Sequence, residues 1–413
     1  MIVGAAVCSA IVAYAVHYSF GIFFKPLAAE FGWTRTMTSA AFALYMVSRG
    51  GFGILTGWAT DKYGPKIVVA VGGIFIGLGL LLTSQISALW QLYLFYSLLV
   101  GLGSSIDFAP LVSTVSRWFT KKRGLATGIV VAGAGVGTAV MPRPASYFIE
   151  AYGWSTSYII LGIVVLVIIV LAALLLRRRP EDMGLLPYGG AEAAKGHQPD
   201  AETGKGSPSL DKSGISLRGA VRSWPFWALF VMVFLTSTCL YMVMVHIVPH
   251  VSDVGISETT AANLMMVIGI SSICGRLGSG WVSDAIGRRT TLAICLFCQA
   301  AVVFSLMWVH SVDIFYVFAV VFGLAYGGLV PQFPLIAGEL FGLRALGAII
   351  GLEMLGTSLG GAAGPLLGGY VFDVAGSYST AFLIGTIGLV ISLILVSQLK
   401  PPTRKPVEAP LSR

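Results

Sequence analysis

Charge is what this chain has least of. Asp, Glu, Lys and Arg make up 11% of its 413 residues, against 56% apolar residues and a mean hydropathy of +0.86. A water-soluble domain carries about 25% charged residues, so too few are present to cover a water-exposed surface. Cysteine is scarce too: five, at positions 8, 239, 274, 295 and 298, all inside apolar runs. Cys295 and Cys298 have the spacing of half a zinc site. No second pair accompanies them and their surroundings are apolar, so they read as packing, and no metal or other cofactor is expected. A Walker-type Gly-Lys-Ser/Thr is missing, which removes direct drive by ATP, and no nucleophile–base pair or phosphate loop suggests an enzyme. The first apolar run, Ile2 to Phe24, lacks a basic leader and a small-residue cleavage site. It reads as a permanent helix rather than a signal peptide.

Long apolar runs are what the chain has instead. Twelve can be drawn, approximately 2–24, 37–58, 66–85, 89–116, 124–148, 155–176, 225–248, 260–281, 290–309, 313–340, 346–371 and 378–398. Each is long enough for a helix of about 20 residues that crosses a bilayer. An even number puts both termini on one side. The segments after the even-numbered runs hold 21 of the 26 Lys and Arg residues, while those after the odd-numbered runs hold only Lys25, Arg35 and Arg143. By the positive-inside rule both termini are cytoplasmic, as expected of a multi-pass protein of the plasma membrane. The net charge of +8 belongs to this pattern and not to nucleic-acid binding.

Residues 177–223 interrupt the runs. They open Arg177-Arg178-Arg179-Pro180-Glu181-Asp182 and continue rich in Gly, Ser, Lys and Asp, with too little apolar surface to pack a core. The expected organisation is a six-helix bundle over 1–176, a cytoplasmic linker over 177–223, a second bundle over 224–399 and a cytoplasmic tail over 400–413. The end of the linker, Leu217 to Trp224, has the makings of a short interfacial helix with an aromatic anchor. Shifting the chain by 223 residues lays Gly57, Asp61 and Gly64 onto Gly280, Asp284 and Gly287. The same shift carries Gly128, Gly133, Gly137, Pro142 and Gly153 onto Gly351, Gly356, Gly360, Pro365 and Gly376. The fold class is therefore all-α integral membrane, twelve transmembrane helices in two pseudo-symmetric six-helix bundles. Repeats of this parallel kind place a substrate site between the halves near the midplane. The glycines of the fifth and eleventh runs suit close helix approach, and Pro142 and Pro365 suit kinks near the outer face.

The element Gly57-x-x-x-Asp61-x-x-Gly64-Pro65-Lys66 and its copy Gly280-x-x-x-Asp284-x-x-Gly287-Arg288-Arg289 resemble the loop signature of the major facilitator superfamily. The resemblance implies the major facilitator fold, with these residues as a conformational latch. Pro65 stands where the pattern usually has Arg. A narrower resemblance, to the monocarboxylate porters with the oxalate/formate exchangers close by, is carried by Trp118-Phe119-Thr120-Lys121-Lys122-Arg123-Gly124. Phe23-Phe24-Lys25 and His246-Ile247-Val248-Pro249-His250 add to it. The acidic motif of that family's first helix is absent, since Ala13-Tyr14-Ala15-Val16-His17 stands there. Ser272 stands where animal members tend to have Asp.

Four ionisable residues, Arg49, Asp107, Arg276 and Glu353, fall well within predicted spans, away from their ends. An unpaired charge at the bilayer centre costs at least ~2.5 kcal/mol on insertion scales, so each needs a partner, water or substrate. At 1.5 Å per residue all four lie roughly 12–15 Å from the basic ends of their helices, in one expected layer. Arg276 carries a permanent charge and a planar fork of donors that matches a carboxylate. The family resemblance makes it the ligand of the substrate carboxylate; the structural alternative is an ion pair with Glu353. Arg49 is expected to pair with Glu353 or Asp107. Tyr18, Tyr326 and Phe333 are expected to line a cavity for a short organic acid. Glu353, Asp107, His17 and His246 are candidates for proton coupling. The expected activity is proton-coupled symport of a small monocarboxylate of the lactate or pyruvate class, by a carrier functional as a monomer. Anion exchange of the oxalate/formate type is the alternative. A channel or sensor fits the two-fold repeat around buried charges less well.

Overall fold

Residues 2–119, 123–178, 180, 215–342 and 346–399 are described by the structure, a computed structural model, and its regular elements are helices. The first half contains α1 (Ile2–Phe31), α2 (Arg35–Tyr63), α3 (Pro65–Thr83), a segmented α4 over 89–118 and α5 (Arg123–Val140). The next helix, Pro142–Leu175, prolongs α5 and then reverses at Gly153, with φ 79°, into α6 over 154–175. The second half contains α7 (Trp224–Asp253), α8 (Glu258–Ile286), α9 (Arg288–Ser305), α10 (Val312–Phe341), α11 (Leu346–Ala375) and α12 (Ser379–Gln398). Among the described residues eight helices are long and apolar enough to cross a membrane, Gly128–Leu175 counting as one. The segmented α4, and α2 and α11, which carry Arg49 and Glu353, complete the twelve. Most of the predicted linker and all of the predicted tail lie outside the described residues. Of the linker's end, Leu217–Val221 is a short helix capped by the Ser216 side chain, which accepts from the Gly219 N–H.

The repeat seen in the sequence is a repeat of turn geometry. Gly32 and Gly255, Gly64 and Gly287, and Gly153 and Gly376 all have positive φ, and each pair is separated by the same 223 positions (287 − 64). Positive φ is where a side chain is disfavoured and glycine is not. Thr34 and Ser257, again 223 apart, cap α2 and α8 in the same way, each side chain accepting from the N–H three residues on. Gly64 and Gly287 end α2 and α8, and the next helices begin at once. These turns mark the face bearing Lys62, Lys66, Arg288 and Arg289, called the basic face below.

Three expectations are corrected. Many helices overrun the apolar runs: α1 continues from Phe24 to Phe31 through Pro26, and α7 from Val248 to Asp253 through Pro249. Their added turns carry Lys25 and Asp253, which pair at 3.0 Å, so polar side chains there satisfy each other instead of ending the helix. The predicted continuous run 89–116 is broken. It consists of Leu89–Leu92, a π-helical Tyr93–Val100, Gly101–Ser104 and, after a turn at 105–108, Ala109–Trp118. Across the turn the amides of Ser105, Ile106 and Asp107 bond three residues back, and the freed Ser105 carbonyl accepts from Thr56 Oγ1 on α2 at 3.1 Å. Backbone freed at membrane depth has to find such a partner. The third correction concerns depth. A Cβ on Gly50 would strike Ser358, which sets Arg49 level with Ser358. Glu353, five residues before Ser358, then lies about 7 Å nearer the basic face at 1.5 Å per residue.

The halves meet mainly on the face opposite the basic one. Lipid offers no hydrophobic drive to helix association, so packing depends on close backbone approach at small residues. A Cβ on Gly269 of α8 would overlap the Ala139 backbone of α5, and one on Gly369 of α11 would strike Ser39 of α2. Nearer the basic face a Cβ on Gly53, Gly57, Gly128, Gly278 or Gly351 would meet nothing within 4 Å. The inter-half hydrogen bonds and ion pairs described below run likewise from Arg276 away from the basic face.

Candidate functional site

Arg276 lies on α8 and reaches across to the first half. Its Nη1 donates to the Val131 carbonyl of α5 at 3.2 Å and its Nη2 to the Tyr326 hydroxyl of α10 at 2.9 Å. The guanidinium sits 5.4 Å from the Tyr326 ring centroid. Its Nε is buried without a hydrogen-bond partner. The predicted alternative, an ion pair with Glu353, is not formed; the partners of Arg276 are neutral. The Tyr326 hydroxyl also bonds the Tyr18 hydroxyl of α1, at 2.9 Å. Tyr18, Tyr326 and Arg276 thus form one connected set drawn from both halves. Phe333, the other predicted lining residue, is partly buried seven residues beyond Tyr326, toward the basic face.

Aromatic rings extend this set. Tyr18 and Tyr241 occupy equivalent positions of α1 and α7 (241 − 18 = 223) and stack at 6.5 Å with 12° between their planes. Tyr14, one turn before Tyr18, also stacks on Tyr18, at 6.4 Å with 19° between the planes. Sequence reasoning passed over Tyr14 and Tyr241. The signal was present in the i, i+4 spacing of Tyr14 and Tyr18 and in the repeat offset.

Arg49 of α2 pairs with Asp107 through two hydrogen bonds, Nε to Oδ2 at 2.8 Å and Nη2 to Oδ1 at 3.0 Å. Its Nη2 also donates to the Tyr14 hydroxyl at 3.4 Å. Asp107 sits in the turn that breaks α4. Its side chain is 2% exposed and that of Arg49 14%, so the cation screens the carboxylate. Glu353 of α11, the other partner open to Arg49 in the sequence, is buried, and its Oε1 has no hydrogen-bond partner among the described residues.

The two candidate histidines differ. His17 is fully buried, its Nδ1 sharing a hydrogen bond with the Tyr45 hydroxyl at 3.1 Å and its Nε2 unpartnered. His246 is saturated: Nδ1 meets the Tyr378 hydroxyl at 3.1 Å, and Nε2 meets the Pro365 carbonyl at 2.9 Å and Ser39 Oγ at 3.3 Å. It ties α7 to α11 and α2, on the face opposite the basic one. Among the predicted latch residues, Gly64 and Gly287 make the turns described, Gly57 and Gly280 have open space around them, and Asp284 is exposed. Arg288 pairs with Glu339 at 3.2 Å and donates to the Leu335 carbonyl at 3.0 Å. The Asp61 side chain lies outside the described residues. No group of three His, Cys, Asp or Glu able to hold a metal occurs among the described residues.

A charged network not anticipated from the sequence closes the opposite face. Asp253 of α7 pairs with Lys25 of α1 at 3.0 Å and Arg35 of α2 at 2.6 Å. Asp373 of α11 accepts from the Arg35 and Thr36 amides at 2.9 and 2.8 Å, a carboxylate on the first-turn N–H groups of a helix. Arg35 lies 3.6 Å from the Phe372 ring centroid. Arg143 to Asn263 at 2.8 Å and Thr259 to Glu150 at 2.6 Å add two further bonds between the halves. A groove of about 640 Å³ between α5 and α8, lined by apolar side chains and Arg143, lies apart from Arg276 and Arg49.

A family model described as Major Facilitator Superfamily matches residues 6–314 and 247–413. Monocarboxylate transporter 13 of Bos taurus is 29% identical over 419 residues, covering 98% of this chain and 92% of its own. Monocarboxylate transporter 11 of Mus musculus is 27% identical, covering 90% and 80%. Among solved structures, a bacterial homolog of the human lysosomal transporter Spinster, in an inward-facing and unoccupied conformation, superposes with a TM-score of 0.68. It has 14% identity, covering 96% of this chain and 94% of the other.

Proposed function

The chain belongs to the Major Facilitator Superfamily, a class of multi-pass membrane transporters and not of enzymes, and on that footing we propose that it is a proton-coupled carrier of a small monocarboxylate of the lactate or pyruvate class. The observation that carries this reading is Arg276, a partly buried cation between the halves whose partners are a tyrosine hydroxyl and a carbonyl. Intramembrane arginines mark substrate routes, and a planar fork suits a carboxylate better than it suits a carbonyl. A carboxylate arriving at Arg276 takes the two terminal donors, with Tyr18 and Tyr326 offering hydroxyls to its second oxygen or to a neighbouring hydroxyl or keto group. The names of the similar transporters support the same substrate class.

Glu353 is our proton carrier. It is a buried carboxyl with an unpartnered oxygen, on the helix that packs against α2 beside Arg49. Protonated together with anion loading, it makes the loaded carrier no more charged than the empty one. Access alternates by rocking of the two halves. Substrate enters from the basic, cytoplasmic face in the state described, and the Lys25–Asp253–Arg35–Asp373 network opens when the halves rock. We place the carrier in the plasma membrane as a monomer, with 177–223 as the cytoplasmic link between its bundles.

The test is uptake of labelled lactate by proteoliposomes with and without an inward proton gradient, followed by a counterflow screen. Stimulation by the gradient supports the reading. Absence of lactate and pyruvate uptake in both conditions, with oxalate–formate counterflow present, would replace it by anion exchange.

A further inference from the structure

The two arginines of the site are not equivalent. Arg276 has neutral partners, whereas both carboxylate oxygens of Asp107 are committed to Arg49. Yet Arg49 addresses the same tyrosine set. Its Nη2 donates to Tyr14, Tyr14 stacks on Tyr18, and Tyr18 is bonded to the Tyr326 hydroxyl that receives Arg276. Arg49 is also the more accessible member of its pair, at 14% against 2%. Two cations therefore face one aromatic cage, and a single hidden carboxylate cancels one of them.

We propose that Asp107 sets the charge class of the substrate: by holding Arg49 in a two-bond ion pair it leaves Arg276 as the one uncompensated cation of the cage, so the site takes a monoanion and rejects a dianion. The proposal rests on the carrier reading above and adds to it a residue that determines specificity without touching substrate. The physical basis is charge balance in a poorly screened space. A monoanion neutralises Arg276. A dianion leaves one charge without a counterpart, and a charge taken from water without a partner is costly. Rejection of the wrong ligand by a missing counter-charge is specificity by exclusion. The break in α4 is the backbone feature that makes this possible. The turn at 105–108 presents Asp107 to α2, and the Ser105 carbonyl is held by Thr56 of the same helix.

The experiment compares lactate with malonate in proteoliposome uptake and in ligand-induced thermal shift of the purified protein. The variants are Asp107→Asn, Arg49→Gln and the double variant. Asp107→Asn keeps the shape and an acceptor oxygen but frees the charge of Arg49. It is expected to raise the malonate-to-lactate affinity ratio tenfold or more. Arg49→Gln strands a carboxylate and is expected to weaken lactate binding at least tenfold. The double variant restores the balance and is expected to return the ratio to that of the wild type. This alternation of sign separates a charge balance from a structural pair, for which both single variants and the double would lower folded yield without moving the ratio. Lactate uptake by the wild type with an unchanged ratio in Asp107→Asn overturns this proposal alone. Should Asp107→Asn not fold, a double variant whose ratio differs from wild type overturns it equally. Wild-type protein that prefers malonate overturns both this proposal and the carrier reading it rests on.

Discussion

Tyr18 and Tyr326 meet hydroxyl to hydroxyl at 2.9 Å, one from each half of the molecule, and the same Tyr326 hydroxyl receives Arg276. The substrate ligand proposed here is thus wired to both halves. Loading of Arg276 by an anion competes for the donors that hold this seam, which ties occupancy to rearrangement. If the three groups act as a unit, Tyr18→Phe and Tyr326→Phe each raise the KM for lactate by a few fold. The double variant costs less than the sum, with a coupling of about 0.5–1.5 kcal/mol, the usual net value of a hydrogen bond. Strict additivity in the double-mutant cycle contradicts the unit.

The carboxyl of Glu353 serves proton coupling in this account and nothing in substrate recognition. Glu353→Gln is therefore expected to retain lactate–lactate exchange within about twofold and to lose stimulation by an inward proton gradient. Exchange and stimulation lost together would place Glu353 in binding or folding instead.

Asp253 and Asp373 join the two halves on the face opposite the basic one, and a gating role for them is testable. Replacing both by Asn removes the ion pairs to Lys25 and Arg35 and weakens the cap on α2. Such partly exposed pairs are worth up to roughly 1 kcal/mol each, so the population open on that face is expected to rise about five- to thirtyfold. Pulsed electron–electron distance measurements between spin labels at Glu30 and Ser377, both exposed, read this as a longer-distance population. An unchanged distribution rules out a gating role.

Gly269 offers a purely steric version of the same test. Gly269→Val pushes a side chain into the Ala139 backbone, an overpacking cost of about 1–3 kcal/mol that falls only on the state closed at that face. Uptake is expected to drop at least tenfold, with the same spin-label shift. Gly278→Ala, with open space at its Cβ, is expected to leave uptake unchanged.

The twelve spans and the two-fold repeat were legible because they are local or periodic, as was the presence of a cation, Arg276, inside an apolar run. Pairing was not. Arg49 had two acids within plausible reach, and the choice of Asp107 depends on the break in α4 at 105–108, for which Pro110 in the first turn of the following helix was a signal left unread. The layer of four charges failed for Glu353 because depth counted along one helix does not fix the level of its neighbour; the contact between Gly50 and Ser358 does. The Asp253 and Asp373 network went unseen since both acids lie beyond the apolar runs, where a sequence shows only polar residues after a helix. His246 follows from neither composition nor spacing. Its three partners, Ser39, Pro365 and Tyr378, come from α2, α11 and the turn before α12.

Whether Arg276 holds the substrate carboxylate is decided by binding of lactate to purified wild-type, Arg276→Lys and Arg276→Gln protein. A ligand that binds the folded state raises its melting temperature with concentration. A lactate-dependent rise is expected in the wild type and its loss in Arg276→Gln. Arg276→Lys is expected to respond more weakly, since charge remains but the fork is gone. A folded Arg276→Gln protein with the wild-type lactate response would contradict that role for Arg276.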